Sequence, residues 1–338
     1  MKPVLLALVA TTLAPAMAGA DLDAPRLQSR LRQIEARLGT GRIGVGVRDL
    51  STGQTILLNG NKRFPMQSTF KMPLAVAVLA LVDRGQLSLD RRITITSKDL
   101  SVPFSRINDD FKGQPRAYTV RELLNLSAGE SDNTAADVLL RLVGGPAKVT
   151  QVLRSVGVQG LRIDRYEHVL QMNYTGLGPF RPAWSRESVL QTAISRVPKT
   201  RAQAALRAYL VDPRDTSTPQ EAVVLLADLQ AGRLLSAAST QLLLRIMTES
   251  RTGPDRLTAG LPKGWSLAHK TGTGRSVHGV EGTVNDMGVV TMPNGGRVAI
   301  VVFVAGARGP RSRIEKGIAD VARAVVVSEM RRGTQAGR

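Results

Sequence analysis

The chain has 338 residues, 43% hydrophobic and 22% charged, the profile of a globular protein with a core of its own. It contains no cysteine, which excludes a disulfide framework, a thiol nucleophile and any cysteine-based metal site. The formal net charge is +19, but the basic residues are scattered, with no basic tail or recognition motif and an aromatic content of only 4%. This predicts a solvated basic surface and no nucleic-acid partner.

Lys2, the apolar run Val4 to Leu13 and the small residues Ala18-Gly19-Ala20 read as a secretory signal over residues 1–20, with Pro3 and Pro15 opposing a buried helix. An exported protein, periplasmic or secreted, is expected. No later stretch reaches the length of a membrane span. Leu27, Leu31, Ile34 and Leu38 recur at helical spacing, and Gly39 to Gly41 end that helix. Ile43 to Leu50 alternates as a strand, Ser51 to Gln54 turns, and Thr55 to Leu58 returns. Residues 68–83 read as a helix apolar on most faces, hence central. Thr119 to Leu126 and Thr134 to Leu142 are further helices. Strands return at Ser266 to Thr273, Asp286 to Thr291 and Arg297 to Val304, and Arg313 to Met330 closes as a helix. With strands at both ends and helices between, residues 21–62 and 250–338 predict an antiparallel sheet lobe flanked by helices. Residues 63–249 predict a helical lobe, with a site between the two.

Three short patterns carry chemistry. Ser68-Thr-Phe-Lys71 stacks an amine over a hydroxyl on one helix face, where a base can activate a poor nucleophile. Ser131-Asp132-Asn133 precedes the helix at Thr134, and Asp132 or Asn133 can cap it. Lys270-Thr271-Gly272-Thr273 ends an apolar strand, where the glycine can let a substrate backbone lie alongside and the lysine can fix a carboxylate. Each pattern alone is commonplace. Their order together is the set known for class A β-lactamases and penicillin-binding proteins.

From about residue 24 to 330 the chain resembles class A β-lactamases. The resemblance implies an α/β (α+β) fold with a five-stranded antiparallel sheet and an all-helical lobe. It also implies hydrolysis of small β-lactams, no cofactor or metal, and a monomer. Arg162-Ile-Asp164-Arg165-Tyr-Glu167-His-Val-Leu170 is similar to the start of the family's omega loop, so Glu167 is the implied deacylating base. Gln171 stands where the family usually has Asn. The loop runs from 162 to 219, with a large insertion within 172–211 that reads as a helical hairpin. Ser185 caps Val189, Leu190, Ala193 and Ile194; Pro198 breaks; Thr200 caps Ala205, Leu206, Tyr209 and Leu210. The two apolar faces are expected to pack together beside the site mouth, with Arg165 and Asp215 pairing at the loop's neck.

The same resemblance implies that Ser68 is acylated, with Lys71 or Glu167 as base, and that Ser131 relays a proton. Lys270, Thr271, Thr273 and Arg256 hold the substrate carboxylate, Gly272 belongs to the same substrate-binding strand, Asn133 holds the side-chain amide, and Gln171 helps Glu167 hold water. Val284 stands where some members carry an arginine, so Arg256 takes that part, with Arg275 as its rival. His269 should point away from the site. A D,D-peptidase acting on peptidoglycan and a slowly deacylating penicillin-binding trap or sensor are the alternatives.

Overall fold

The structure is a computed structural model that describes residues 22–335; the expected signal over 1–20 lies outside the described residues. Helix α1 (Ala24–Leu38) leads into strands β1 (Arg42–Asp49) and β2 (Thr55–Leu58). The helical lobe contains α2 (Lys71–Asp83), α3 (Asn133–Val143), α4 (Glu167–Thr175), α5 (Glu187–Ser195), α6 (Lys199–Val211), α7 (Pro219–Gln230) and α8 (Ala237–Thr248). Strands β3 (Ser266–Thr273), β4 (Val280–Thr291) and β5 (Arg297–Arg308) and helix α9 (Arg311–Gln335) close the chain. Among the described residues no helix is long and apolar enough to cross a membrane.

The sheet order is β2-β1-β5-β4-β3, antiparallel throughout, with the short Ser276–Val277 pairing onto β4. The ends of the chain therefore meet in the middle of one sheet, as their alternation predicts. One face packs on α1 and α9 through Val45, Val47, Ile300 and Val302 against Leu31, Ile34, Ile318 and Val321. Each such fully buried aliphatic contributes about 1.5–3 kcal/mol. The other face meets the helical lobe. There β1 offers Gly44 and Gly46, where a Cβ would stand 2.4 Å from the Phe64 ring and 2.8 Å from Pro219 O, so α7 lies directly on the strand. Helix α2 is buried from Lys71 to Ala80, which explains its apolar residues on every face.

Two strands run longer than the sequence suggests. Val280–Asn285 carries Glu281, Thr283 and Asn285, which hide the apolar alternation, yet it stays in register with Ala305 to Arg308 and their neighbours.

Candidate active site

Ser68 sits in a single 3-10 turn, Gln67–Phe70, and the α-helix proper begins only at Lys71. The expectation that Ser68 opens the helix is corrected by the backbone of Gln67, whose φ of 47° forces a tight left-handed step just before it. The turn is pinned from both sides. Asn285 Nδ2 donates to Pro65 O (2.9 Å) and Met66 O (3.0 Å), and Met66 N–H donates to Asp215 O (3.0 Å). A Cβ on Gly272 would lie 2.5 Å from Met66 O and 3.1 Å from Thr69 N. Gly272 thus allows the close approach of β3 to the serine turn.

That approach also brings a backbone donor to the turn. Gly274 N–H donates to Thr283 O (2.8 Å), so in the antiparallel alternation the N–H of Thr273 points away from β4, toward the open edge where the turn lies.

Lys71 is fully buried. Its Nζ donates to Ser131 O (2.7 Å) and Asn133 Oδ1 (2.6 Å). Burial lowers its pKa, while Glu167, Asp132 and Asp137 oppose that shift. Asp132 caps α3 by accepting from Ala135 N (2.8 Å), and it also accepts from Ile107 N and Ser105 Oγ. This leaves Ser131 in a left-handed conformation (φ 66°), with its Oγ accepting from Lys270 Nζ at 2.9 Å. Asn133 Nδ2 donates to Pro103 O (2.6 Å). Lys270 is buried too, and burial, then the charge of Lys71, pushes its pKa well down.

Glu167 begins α4 from the opposite wall. Its backbone N–H donates to Asp137 Oδ1 (2.6 Å), its Oε1 accepts from Gln171 Nε2 (2.8 Å), and its Oε2 is buried without a hydrogen-bond partner. Burial raises its pKa; Lys71 and the Gln171 hydrogen bond pull the other way.

The loop carrying Glu167 is closed at its neck as expected. Arg165 Nε meets Asp215 Oδ2 at 2.6 Å and its Nη1 meets Asp212 Oδ2 at 3.1 Å. The segment expected to be an insertion, within 172–211, does form two helices, α5 and α6, but with other caps: Arg186 and Pro198 precede them, and Ser185 lies in a 3-10 turn. Their apolar faces do not pack on each other. Leu190 joins Val102, Met172 and Trp184, while Leu206 and Tyr209 join Leu170 and Tyr174. Residues 170 and 174 share one face of α4 and residue 172 another, so α4 stands between the two inserted helices.

Arg256 is buried beside the end of β3, with Nη2 on Thr273 Oγ1 (2.7 Å), Nη1 on Asn285 O (2.9 Å) and an ion pair to Glu315. Its rival Arg275 pairs instead with Glu187 of the insertion. Thr271 Oγ1 donates to Thr252 Oγ1 (2.8 Å). Val284 is buried in the α1–α9 core, and His269 turns to Asp286 at 2.8 Å. Ser68, Ser131, Asn133, Glu167, Gln171, Thr271, Thr273 and Arg256 line one cavity of about 1120 Å³, with Glu187, Leu190 and Ile194 of the insertion on its rim. Lys71 and Lys270 are fully buried and reach this lining through their hydrogen bonds to Ser131 and Asn133.

Sequence reasoning missed three contributors. Asp137 holds both Glu167 N and Ser101 Oγ, and pairs with His168 Nδ1 at 2.7 Å. Asn285 ties the serine turn to the sheet. Gln67 joins Gln171 to Tyr209. A polar residue inside an apolar run was the available signal for Asp137 in α3.

A serine, a hydroxyl–amine pair and a buried carboxylate thus meet at a cleft between a sheet lobe and a helical lobe. The model described as the beta-lactamase enzyme family matches residues 26–328, and the chain belongs to that family. It is 31% identical over 283 residues, 83% of each chain, to the beta-lactamase VEB-1 of Pseudomonas aeruginosa. Its structure is similar to that of a beta-lactamase from Chitinophaga pinensis (35% identity, TM-score 0.73, 90% of this chain and 99% of that one). It is similar also to an ancestral class A beta-lactamase (37% identity, TM-score 0.72, 89% and 99%).

Proposed function

We propose that the protein hydrolyses β-lactams through an acyl-enzyme on Ser68. The observation that carries this reading is the meeting of Ser68, Ser131 and Glu167 around one cavity, with Lys71 bonded to Ser131 O and Glu167 Oε2 buried and without a partner. Ser68 Oγ attacks the lactam carbonyl carbon, and its proton passes to Lys71, whose neutral amine is favoured by burial. The N–H groups of Ser68 and Thr273 receive the developing oxyanion. The lactam C–N bond then breaks, Ser131 Oγ delivers a proton to the leaving nitrogen, supported by its hydrogen bond from Lys270, and Lys71 passes the proton it took from Ser68 to Ser131. Glu167, steadied by Gln171, takes a proton from a water that attacks the ester carbonyl; the ester C–O bond then breaks, and that proton returns through Lys71 to Ser68 Oγ.

Lys270, Thr271, Thr273 and Arg256 lie where the substrate carboxylate would bind, and Asn133 where its side-chain amide would. Gly272 contributes through the closeness of β3 to the serine turn. The pattern over residues 1–20 supports export.

The test is a steady-state assay on a chromogenic cephalosporin with the mature protein. Many turnovers per molecule are expected. A burst of one equivalent followed by a halt would favour the trap reading instead.

A further inference from the structure

The inserted helix α6 does more than line the cavity. Tyr209, near its end, is 4% exposed, and its hydroxyl accepts a hydrogen bond from Gln67 Nε2 at 2.7 Å. Gln67 is fully buried, and its Oε1 accepts from Gln171 Nε2 at 2.9 Å. The same Gln171 nitrogen donates to Glu167 Oε1 at 2.8 Å. An unbroken chain of hydrogen bonds therefore runs from the insertion to the carboxylate.

The chain has one polarity, and the carboxylate dictates it. Ionised Glu167 can only accept, so Gln171 must turn its amide nitrogen toward it. That nitrogen's second hydrogen then needs an acceptor, which is Gln67 Oε1. Gln67 Nε2 is thereby turned outward and needs an acceptor in a dry place. The Tyr209 hydroxyl is that acceptor. Without it a buried amide N–H has no partner, and Gln67 gains by rotating away. Gln67 also precedes Ser68 and holds the φ of 47° that shapes its turn.

We propose that Tyr209 is a positioning residue for Glu167, acting through Gln67 and Gln171, so that the inserted helix sets the efficiency of deacylation. The proposal rests on the reading of Glu167 as the deacylating base. Helix α6 is thereby tied to the second half of the reaction, in which water attacks the acyl-enzyme. The first half, attack by Ser68 and departure of the lactam nitrogen, does not depend on the chain of amides.

Tyr209→Phe removes only the hydroxyl. The ring keeps its edge-on packing against Tyr174, with centroids 4.8 Å apart. Acylation and deacylation are measured separately, by stopped-flow first turnover of a chromogenic cephalosporin and by decay of the isolated acyl-enzyme. Acylation should stay within about twofold of wild type, and deacylation should fall about tenfold, the rate equivalent of one hydrogen bond. Then kcat and KM fall together while kcat/KM holds. The acid limb of deacylation should move to higher pH, because a donor that favours ionised Glu167 is no longer fixed.

In a Gln171→Ala background the chain is already cut, so adding Tyr209→Phe should change deacylation less than twofold. Gln67→Met cuts the same chain nearer the site and should reproduce the selective loss if Tyr209→Phe expresses poorly. Wild-type deacylation in both Tyr209→Phe and Gln67→Met, or an equal loss from Tyr209→Phe with and without Gln171, overturns the proposal. Failure of the underlying reading looks different: Glu167→Ala would then deacylate as wild type does.

Discussion

Replacing Gly272 with alanine tests whether the approach of β3 to the serine turn sets up the oxyanion donors. The added Cβ would stand 2.5 Å from Met66 O, and ordinary contact begins at 3.4 Å, so the gap must open by about 0.9 Å. Neither side yields easily. Asn285 ties Met66 to β4, and β3 is itself paired to β4 from Ser266 to Thr273. Overpacking of this kind costs about 1–3 kcal/mol, which lowers Tm by roughly 2–4 °C per kcal/mol at most in a chain of this size. The rate should suffer more. The displacement separates Thr273 N–H from Ser68 N–H, and misplacement by about 1 Å or loss of one such donor costs on the order of 10²-fold. The assay is stopped-flow acylation by a chromogenic cephalosporin beside a thermal melt. A melt lowered by a few degrees with acylation down about 100-fold is expected. Acylation within threefold of wild type would refute the reasoning, because the strand's closeness would then not govern the donors.

Two further predictions follow from the site. Burial raises the pKa of Glu167, so the native state binds that proton more tightly than the unfolded chain, and ionising it costs stability at neutral pH. Glu167→Gln should therefore melt higher than wild type at pH 7–8, the gain vanishing as pH falls through about 4.3, where both states are protonated. A pH-independent difference, or a less stable variant at pH 8, would contradict this. On the rim, Ile194→Trp should narrow the cavity beside Glu187 and Leu190 and lower kcat/KM for cephalosporins with bulky acyl side chains more than for small penicillins. Equal losses for both would detach the insertion from substrate selection.

What could be read from the sequence was what is local. Ser68 and Lys71 are three residues apart, Ser131 to Asn133 form one turn, and Lys270 to Thr273 lie on one strand, so each pattern survives without knowledge of the fold. The pairing of Arg165 with Asp215 came from the family pattern, not from spacing. What escaped was set by tertiary packing. Gln67 and Tyr209 are 142 positions apart and Gln67 and Gln171 are 104 apart, and nothing in either neighbourhood announces a hydrogen bond. The two inserted helices were legible from their apolar spacing, but their partner was not. Each face could satisfy itself on the other helix or on α4, and α4 offers two apolar faces where the hairpin would offer one. The 3-10 geometry at Ser68 also lay beyond the pattern, because it begins with a left-handed step at Gln67 that no neighbouring residue type announces.

The central claim is a covalent intermediate on Ser68 that Glu167 resolves. Its most direct test is to mix the Glu167→Ala variant with benzylpenicillin, quench, and map the product by peptide mass spectrometry. The account predicts one penicilloyl group per molecule, on the peptide holding Ser68 and absent when Ser68→Ala is added, persisting far longer than in wild type. An adduct on another residue, or none that outlasts the wild-type intermediate, would contradict it.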